Sequence, residues 1–425
     1  MEKNDVFQSW KSAKCDSSIP LGLPDWVRRL DVGDYPIVAC GSASGNIYIG
    51  NVQTGKVLAQ TEGEEAKPEL DCFYDYNDND DDDDDKKQSA KDKNNNNQDI
   101  LSLLFNGFDG GGTLAISMHK SLICSSARQG SVQVWVLDNG GGGDAQLQIM
   151  PQGTMKALEG TVVTCLELDD EYLWVGTADG RVQAYSYSSS TMPLTLQTKP
   201  ELEWSFDGNA ILSLSLTPNL GYGVVCTSNN DVHMFSMDDD DEEDVFSWKP
   251  QRLTMNGFDH AQTATLVESS QGGAALVCGT KDGALIVQHV DLETNYEPKM
   301  IEHDYVMQPQ HTGPIQCLTS PTPGLLITGG QDGCIRMWNV GEDETYYLYQ
   351  FIGYKVWLGS MWTDGKRLLS DGADNTIVLH DFSNQIDRNG LEDELMDIFA
   401  DEDDDEDDFY DDFDGDEEDD EDGDY

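Results

Sequence analysis

Seven times along the chain a short apolar run enters a small-residue turn and leaves in a second run, and this recurrence limits the possible folds more than any other feature. The stretches are IVACGSASGNIYIGNV (37–52), LICSSARQGSVQVWVLD (122–138), LWVGTADGRVQAYSY (173–187), VVCTSNNDVHMFSM (224–237), LVCGTKDGALIVQHV (276–290), LLITGGQDGCIRMWNV (325–340) and LLSDGADNTIVLHDF (368–382). Alternating apolar runs joined by a Gly- or Asn-centred turn form tight β-hairpins, because the turn needs residues that tolerate positive φ. The turn position falls at Gly45, Gly130, Gly180, Asn230, Gly283, Gly333 and Asn375, with successive gaps of 85, 50, 50, 53, 50 and 42. Removing the 39 polar residues 61–99 reduces the first gap to 46. One hairpin per 42–53 residues is the length of a four-stranded propeller blade.

Further strands are expected on both sides of the hairpins. Residues 161–168, 210–216, 263–269 and 314–320 supply inner strands, and 56–60, 146–150, 244–248 and 346–351 supply outer ones. After the seventh hairpin no outer strand follows. The segment Asp5–Trp10 resembles Asp244–Trp248 and is expected to complete the last blade as a strand, with Trp26–Val32 competing for a place in the first. A ring closed in this way has no open sheet edge to template aggregation. The fold expected is all-β: a seven-bladed β-propeller over 1–390, with a disordered acidic insertion at 61–99 between blades one and two, and an acidic tail at 391–425.

The sixth unit carries the most specific residues. His311-Thr312-Gly313-Pro314-Ile315, Thr328-Gly329-Gly330-Gln331-Asp332-Gly333 and Ile335-Arg336-Met337-Trp338-Asn339 resemble the WD-repeat β-propeller family over one whole repeat, with Asn339 in place of the usual Asp. The resemblance implies that His311, Thr328, Asp332 and Trp338 form a hydrogen-bonded structural tetrad, as buried polar groups must be paired. It also implies turn carboxylates at Asp179, Asp282, Asp332 and Asp374. Tyr185 and Gln288 stand where Trp is usual, and His380-Asp381 keeps half of the Trp-Asp pair. The likeness spans roughly residues 5–385 and speaks to fold, since propellers host unrelated functions.

Enzymatic signatures are missing. The seven histidines show no i, i+2 or i, i+4 pair of metal ligands, and neither a P-loop, a G-x-S-x-G elbow nor a Rossmann turn occurs. The Gly-rich runs 110–112 and 140–143 precede no helical pattern and read as loops. Nine cysteines form no CxxC pair; Cys40, Cys124, Cys226 and Cys278 recur in matching apolar runs and Cys165 and Cys317 in another, so they read as small buried residues. No cofactor or metal is expected, and the chain reads as a non-enzyme.

Charge narrows the partners. The formal net charge is −56, from 81 acidic and 25 basic side chains. Residues 391–425 hold 23 acids and no Lys or Arg, 61–99 hold 15 acids and five lysines, and 238–244, read as a solvated hairpin loop, is seven acids. The remaining 36 acids and 20 bases leave −16. Such a chain repels nucleic acid and anionic membranes and attracts basic proteins. Absence of a long apolar run and of a basic, apolar leader leads to an expectation of a cytoplasmic or nuclear protein. In the tail, Leu391, Leu395, Ile398 and Phe399 share one helical face, and Phe409, Tyr410 and Phe413 sit among acids. Rings and carboxylates together suit the apolar and cationic groups of a histone or ribosomal protein. The expected function is a monomeric interaction scaffold within a complex, serving as a chaperone or assembly factor for a basic client; the alternative is a substrate-recruiting adaptor of a larger enzyme such as a ubiquitin ligase.

Overall fold

A computed structural model describes residues 2–61, 112–127, 131–138, 148–155, 161–188, 195–196, 199–237, 250–253, 261–292, 299–300, 305–341, 344–354, 358–373 and 375–383. Its strands form seven separate antiparallel sheets, each from one stretch of chain except the last, and the molecule is a seven-bladed β-propeller. From the axis outward, blade one is Val27–Val32, Ile37–Ser42, Ile47–Asn51 and Lys56–Gln60. Blade six is Ile315–Thr319, Leu325–Gly330, Ile335–Val340 and Thr345–Phe351. The insertion lies outside the described residues, between blade one and the inner strand of blade two, Thr113–His119.

Five of the seven expected hairpin turns show the backbone their sequences require; Gly130 lies outside the described residues. Gly45, Gly180, Asn230, Gly283 and Gly333 all have positive φ, between 68° and 87°. A second recurring device lies at the start of the inner strands. In six blades the register slips by one residue at the same place: Val27/Arg29, Thr113/Ala115, Val163/Cys165, Ile211/Ser213, Ala261/Thr263 and Ile315/Cys317. A bulge of this kind bends the strand and re-aims the residues after it. The next blade then presses on the second strand so closely that a side chain is excluded: a Cβ on Gly176 would stand 2.8 Å from Ile211, and one on Gly279 2.6 Å from Ile315.

The core lies between blades, where apolar residues of adjacent sheets interlock. One cluster joins Leu122, Val134 and Val136 of blade two to Leu166, Leu173 and Val175 of blade three. Cys40, Cys124, Cys226 and Cys278 are fully buried in second strands, and burial holds their thiols well above the ordinary range.

Ring closure departs from the sequence expectation in one respect. Asp5–Trp10 is part of a helix, α1 (Glu2–Lys11), and the outer strand of blade seven is β1 (Asp16–Gly22), paired with Thr376–Asp381. Val6 and Trp10, four residues apart, fall on one helical face and enter the seam between blades six and seven among Leu325, Ile335, Leu368 and Phe382. The Trp10 ring stacks on Phe382 at 3.6 Å, and its indole N–H donates to the Gly365 carbonyl at 2.8 Å. Burying this ring outweighs any strand tendency of the segment. Trp26–Val32 contributes the inner strand of blade one. Asp244–Trp248 lies outside the described residues, and the outer strand described in blade four is Gln251–Leu253.

Candidate functional site

Polar side chains on this ring concentrate in two places: ladders inside the blades and a band where inner strands meet. In blade six the Trp338 indole N–H donates to Thr328 Oγ1 at 3.1 Å; Thr328 Oγ1 lies 2.8 Å from His311 Nε2, and His311 Nδ1 lies 2.9 Å from Asp332 Oδ1. One proton arrangement satisfies all three contacts: indole to hydroxyl, hydroxyl to Nε2, and Nδ1–H to the carboxylate. Burial lowers the His311 pKa against the pull of Asp332, which keeps the imidazole neutral as this chain requires. Burial opposes ionisation of Asp332, yet hydrogen bonds from His311, the Thr312 amide and Arg336 overcome it and hold the carboxyl far below the usual range. Asp332 also receives the Cys334 amide, fastening the turn.

A hydroxyl, an imidazole and a carboxylate in line imitate a nucleophilic triad. Thr328, however, is fully buried and its oxygen is already engaged by two partners, so no substrate reaches it. This ladder joins turn, strand and indole.

Blade seven carries a variant that the sequence did not reveal. In register, Ser370 stands where blade six has Thr328 and His380 where it has Trp338. Tyr354 takes the place of His311: its hydroxyl lies 2.7 Å from His380 Nε2 and receives Ser370 Oγ at 3.3 Å. His380 Nδ1 reaches Ser17 of β1 at 2.7 Å, and Phe351 stacks on the ring at 4.2 Å. The ladder thus crosses into the N-terminal strand. Burial depresses the His380 pKa to about 4.

Of the remaining turn carboxylates, Asp179 accepts from Thr177 and Arg181, Asp282 is exposed, and Asp374 lies outside the described residues. What fastens these turns is a hydroxyl three residues before the turn residue. Ser42, Thr177 and Thr280 accept the amides of Asn46, Arg181 and Ala284. The signal was present as Ser/Thr-x-x-Gly at Ser42–Gly45, Thr177–Gly180 and Thr280–Gly283, a local side-chain-to-backbone motif. Blade six has Gly330 at that position and uses Asp332 instead.

Inner strands expose backbone amides toward the axis, and side chains of the preceding blade satisfy several of them. Ser360 accepts the Leu30 amide, Asp31 that of Met118, Ser117 that of Leu168 and Ser213 that of Ala264. Ser215 and Thr265 bond at 2.8 Å across the next seam position. In blade three the residue in register with Asp31 and Ser117 is Glu167. Withdrawal from water and the neighbouring Asp31 push its carboxyl up to about 8, while Asp31, also withdrawn but supported by two amides and Ser117, rises to about 6. Where the ring closes, Asp371 accepts the Gly359 amide at 3.0 Å and faces Arg29 of blade one; burial raises it to about 7 despite that guanidinium. Among the described residues no three His, Cys, Asp or Glu side chains gather as a metal site.

The sequence-predicted binding residues Leu395, Ile398, Phe399, Phe409, Tyr410 and Phe413 lie outside the described residues. The described chain stops at Ser383, directly after blade seven.

Comparison with known proteins agrees with the geometry of blade six. The family model described as "WD domain, G-beta repeat" matches residues 305–339, from the outermost strand of blade five to the third strand of blade six. Over 129 residues the chain is 30% identical to "p21-activated protein kinase-interacting protein 1-like" of Gallus gallus, covering 30% of this chain and 32% of that protein. It is 31% identical over 118 residues to the protein of the same name from Danio rerio, covering 28% and 30%. The match thus spans about a third of the length of these curated relatives. The chain is a seven-bladed β-propeller whose sixth blade matches the WD repeat and carries its polar ladder.

Proposed function

We propose that this propeller is a protein-interaction scaffold that holds strongly basic chains through its acidic C-terminal segment. The ring supplies a platform, and the polar side chains of its blade-six and blade-seven ladders are engaged with one another. The observation that carries the reading is the concentration of 23 acids, with Phe409, Tyr410 and Phe413 among them, in the last 35 residues, which no Lys or Arg offsets. Carboxylates neutralise lysine and arginine, while the rings cover apolar and cationic surface. Histones and ribosomal proteins away from their nucleic acid have this chemistry.

The test is binding of core histones to the full chain and to one lacking 391–425. Removing the segment weakens binding about tenfold or more at low salt, and the difference shrinks as the ionic strength rises toward 0.5 M, roughly, where charges are screened within a few ångströms. Equal affinity of the two chains refutes the basic-client reading and leaves the scaffold.

A second reading comes from the relatives, whose name describes interaction with a p21-activated protein kinase. Binding of such a kinase to the tail-deleted ring, with no dependence on the acidic segment, favours it over the first.

A further inference from the structure

The described chain ends beside a group of lysines. Strand Thr376–Asp381 ends in Phe382, whose amide donates to the Lys366 carbonyl at 2.9 Å and whose ring lies on Trp10. Trp10 in turn bonds Gly365, the residue before Lys366. Lys11 and Lys14 follow Trp10 at the C-terminal end of α1, where the helix dipole favours cations. The chain therefore leaves the ring between α1 and the turn bearing Lys366. Lys14 and Lys366 are exposed and Lys11 is partly so, its ammonium lying 4.9 Å over the Phe7 ring. Among the described residues no ion pair joins a carboxylate to any of the three, as is also true of Lys56 and Lys281; Asp364, in the same turn as Lys366, pairs with Arg367. What sets these three apart from the other unpaired lysines is their place beside the last described residues of the chain, ahead of 391–425.

We propose that this patch is the resting site of the chain's own acidic segment: 391–425 folds back onto Lys11, Lys14 and Lys366 and is displaced by a basic partner. The inference rests on the reading of that segment as a binder of basic chains and adds its regulation. Only seven residues, 384–390, separate Ser383 from the segment, so tethering holds its carboxylates at an effective concentration of about millimolar near the patch. Three lysines cannot neutralise 23 acids. A client with many cations therefore wins the exchange, while weakly basic proteins are screened out. The self-contact sets a threshold of charge density for binding.

Zero-length carbodiimide coupling of the full chain, read by mass spectrometry, tests the contact directly. Carboxyls of 391–425 are expected to couple to Lys11, Lys14 and Lys366 at least about threefold more than to Lys56 and Lys281, and the excess disappears near 0.5 M salt, roughly. Even coupling across all five lysines overturns the proposal. So does coupling that joins light to heavy copies in an isotopic mixture, since the occupant is then a second molecule. In the full chain, the K11E/K14E/K366E variant binds poly-L-lysine several-fold more tightly; unchanged or weaker binding counts against self-docking. The two ideas fail separately: failure of the full chain to bind poly-L-lysine sinks the client reading, whereas even coupling, with poly-L-lysine binding intact, sinks only the self-contact.

Discussion

Single side chains in this ring have opposite pH signatures, and the signs follow from which protonation state the fold selects. His380 is buried as the neutral imidazole, with its pKa depressed from 6.5 to about 4. The unfolded chain binds that proton more readily, so its contribution is complete above pH 6.5 and is lost as the pH falls toward 4. A shift of this size amounts to roughly 3–3.5 kcal/mol. Thermal unfolding of the parent followed across this window should steepen toward acid, and His380→Gln should flatten that part of the profile. Glu167 behaves in reverse. Its carboxyl rises from 4.5 to about 8, so the folded ring keeps the proton and stability falls as the pH rises across that interval. Glu167→Gln should melt higher than the parent at pH 8 and about level with it at pH 4.5, a gain of roughly 1–2 kcal/mol after allowing for its partial exposure. A variant that is less stable at pH 8 would refute the account of Glu167. The tetrad predicts a third change: Thr328→Val, nearly equal in size, strands the Trp338 N–H and His311 Nε2 and should cost about 2–4 kcal/mol. Unaltered denaturant stability would show that this ladder is dispensable.

Among the elements, the N-terminal pair α1 and β1 closes the ring, and the two do so by different means. Strand β1 supplies backbone pairing to blade seven and the Ser17 contact to His380. Helix α1 supplies burial, with Trp10 fully enclosed between blades six and seven. Trp10→Ala removes a large side chain from a packed seam and should destabilise by about 3–5 kcal/mol. Amide hydrogen exchange should then quicken first in β1 and Thr376–Asp381, because that seam is the one not covered by continuous chain. Uniform quickening around all seven blades would contradict a local latch. The hairpins and outer strand of blade six were legible because alternation and turn chemistry agree over a few residues. Asp5–Trp10 was misread because Val6, Phe7 and Trp10 suit a helical face as well as a strand, and the deciding partners, Leu325, Leu368 and Phe382, lie more than 300 residues away.

For the whole molecule, most of the charge lies in segments outside the blades, and the ring is built on alternating burial and seam packing. Fold and charge are therefore separable properties. Deleting 391–425 should leave the unfolding midpoint of the ring within a degree or two, about the scale of a surface change, while abolishing most histone binding. A large loss of stability on deletion would mean that the segment is part of the ring.

The sequence by itself determined the number of blades, the hairpins, five of the turn residues and the four members of the blade-six ladder, because each depends on residues close in the chain or on one repeat's own pattern. Tertiary structure alone decided the latch, the Tyr354–Ser370–His380–Ser17 ladder and the band of bonds from one inner strand to the next. Ser17 and Trp10 meet their partners only when the ring closes, the band joins one blade to the next, and Tyr354, Ser370 and His380, though as near in sequence as the blade-six ladder, do not carry its residue types. A side chain's pairing in such a place depends on the neighbouring blade's register, which no local pattern encodes.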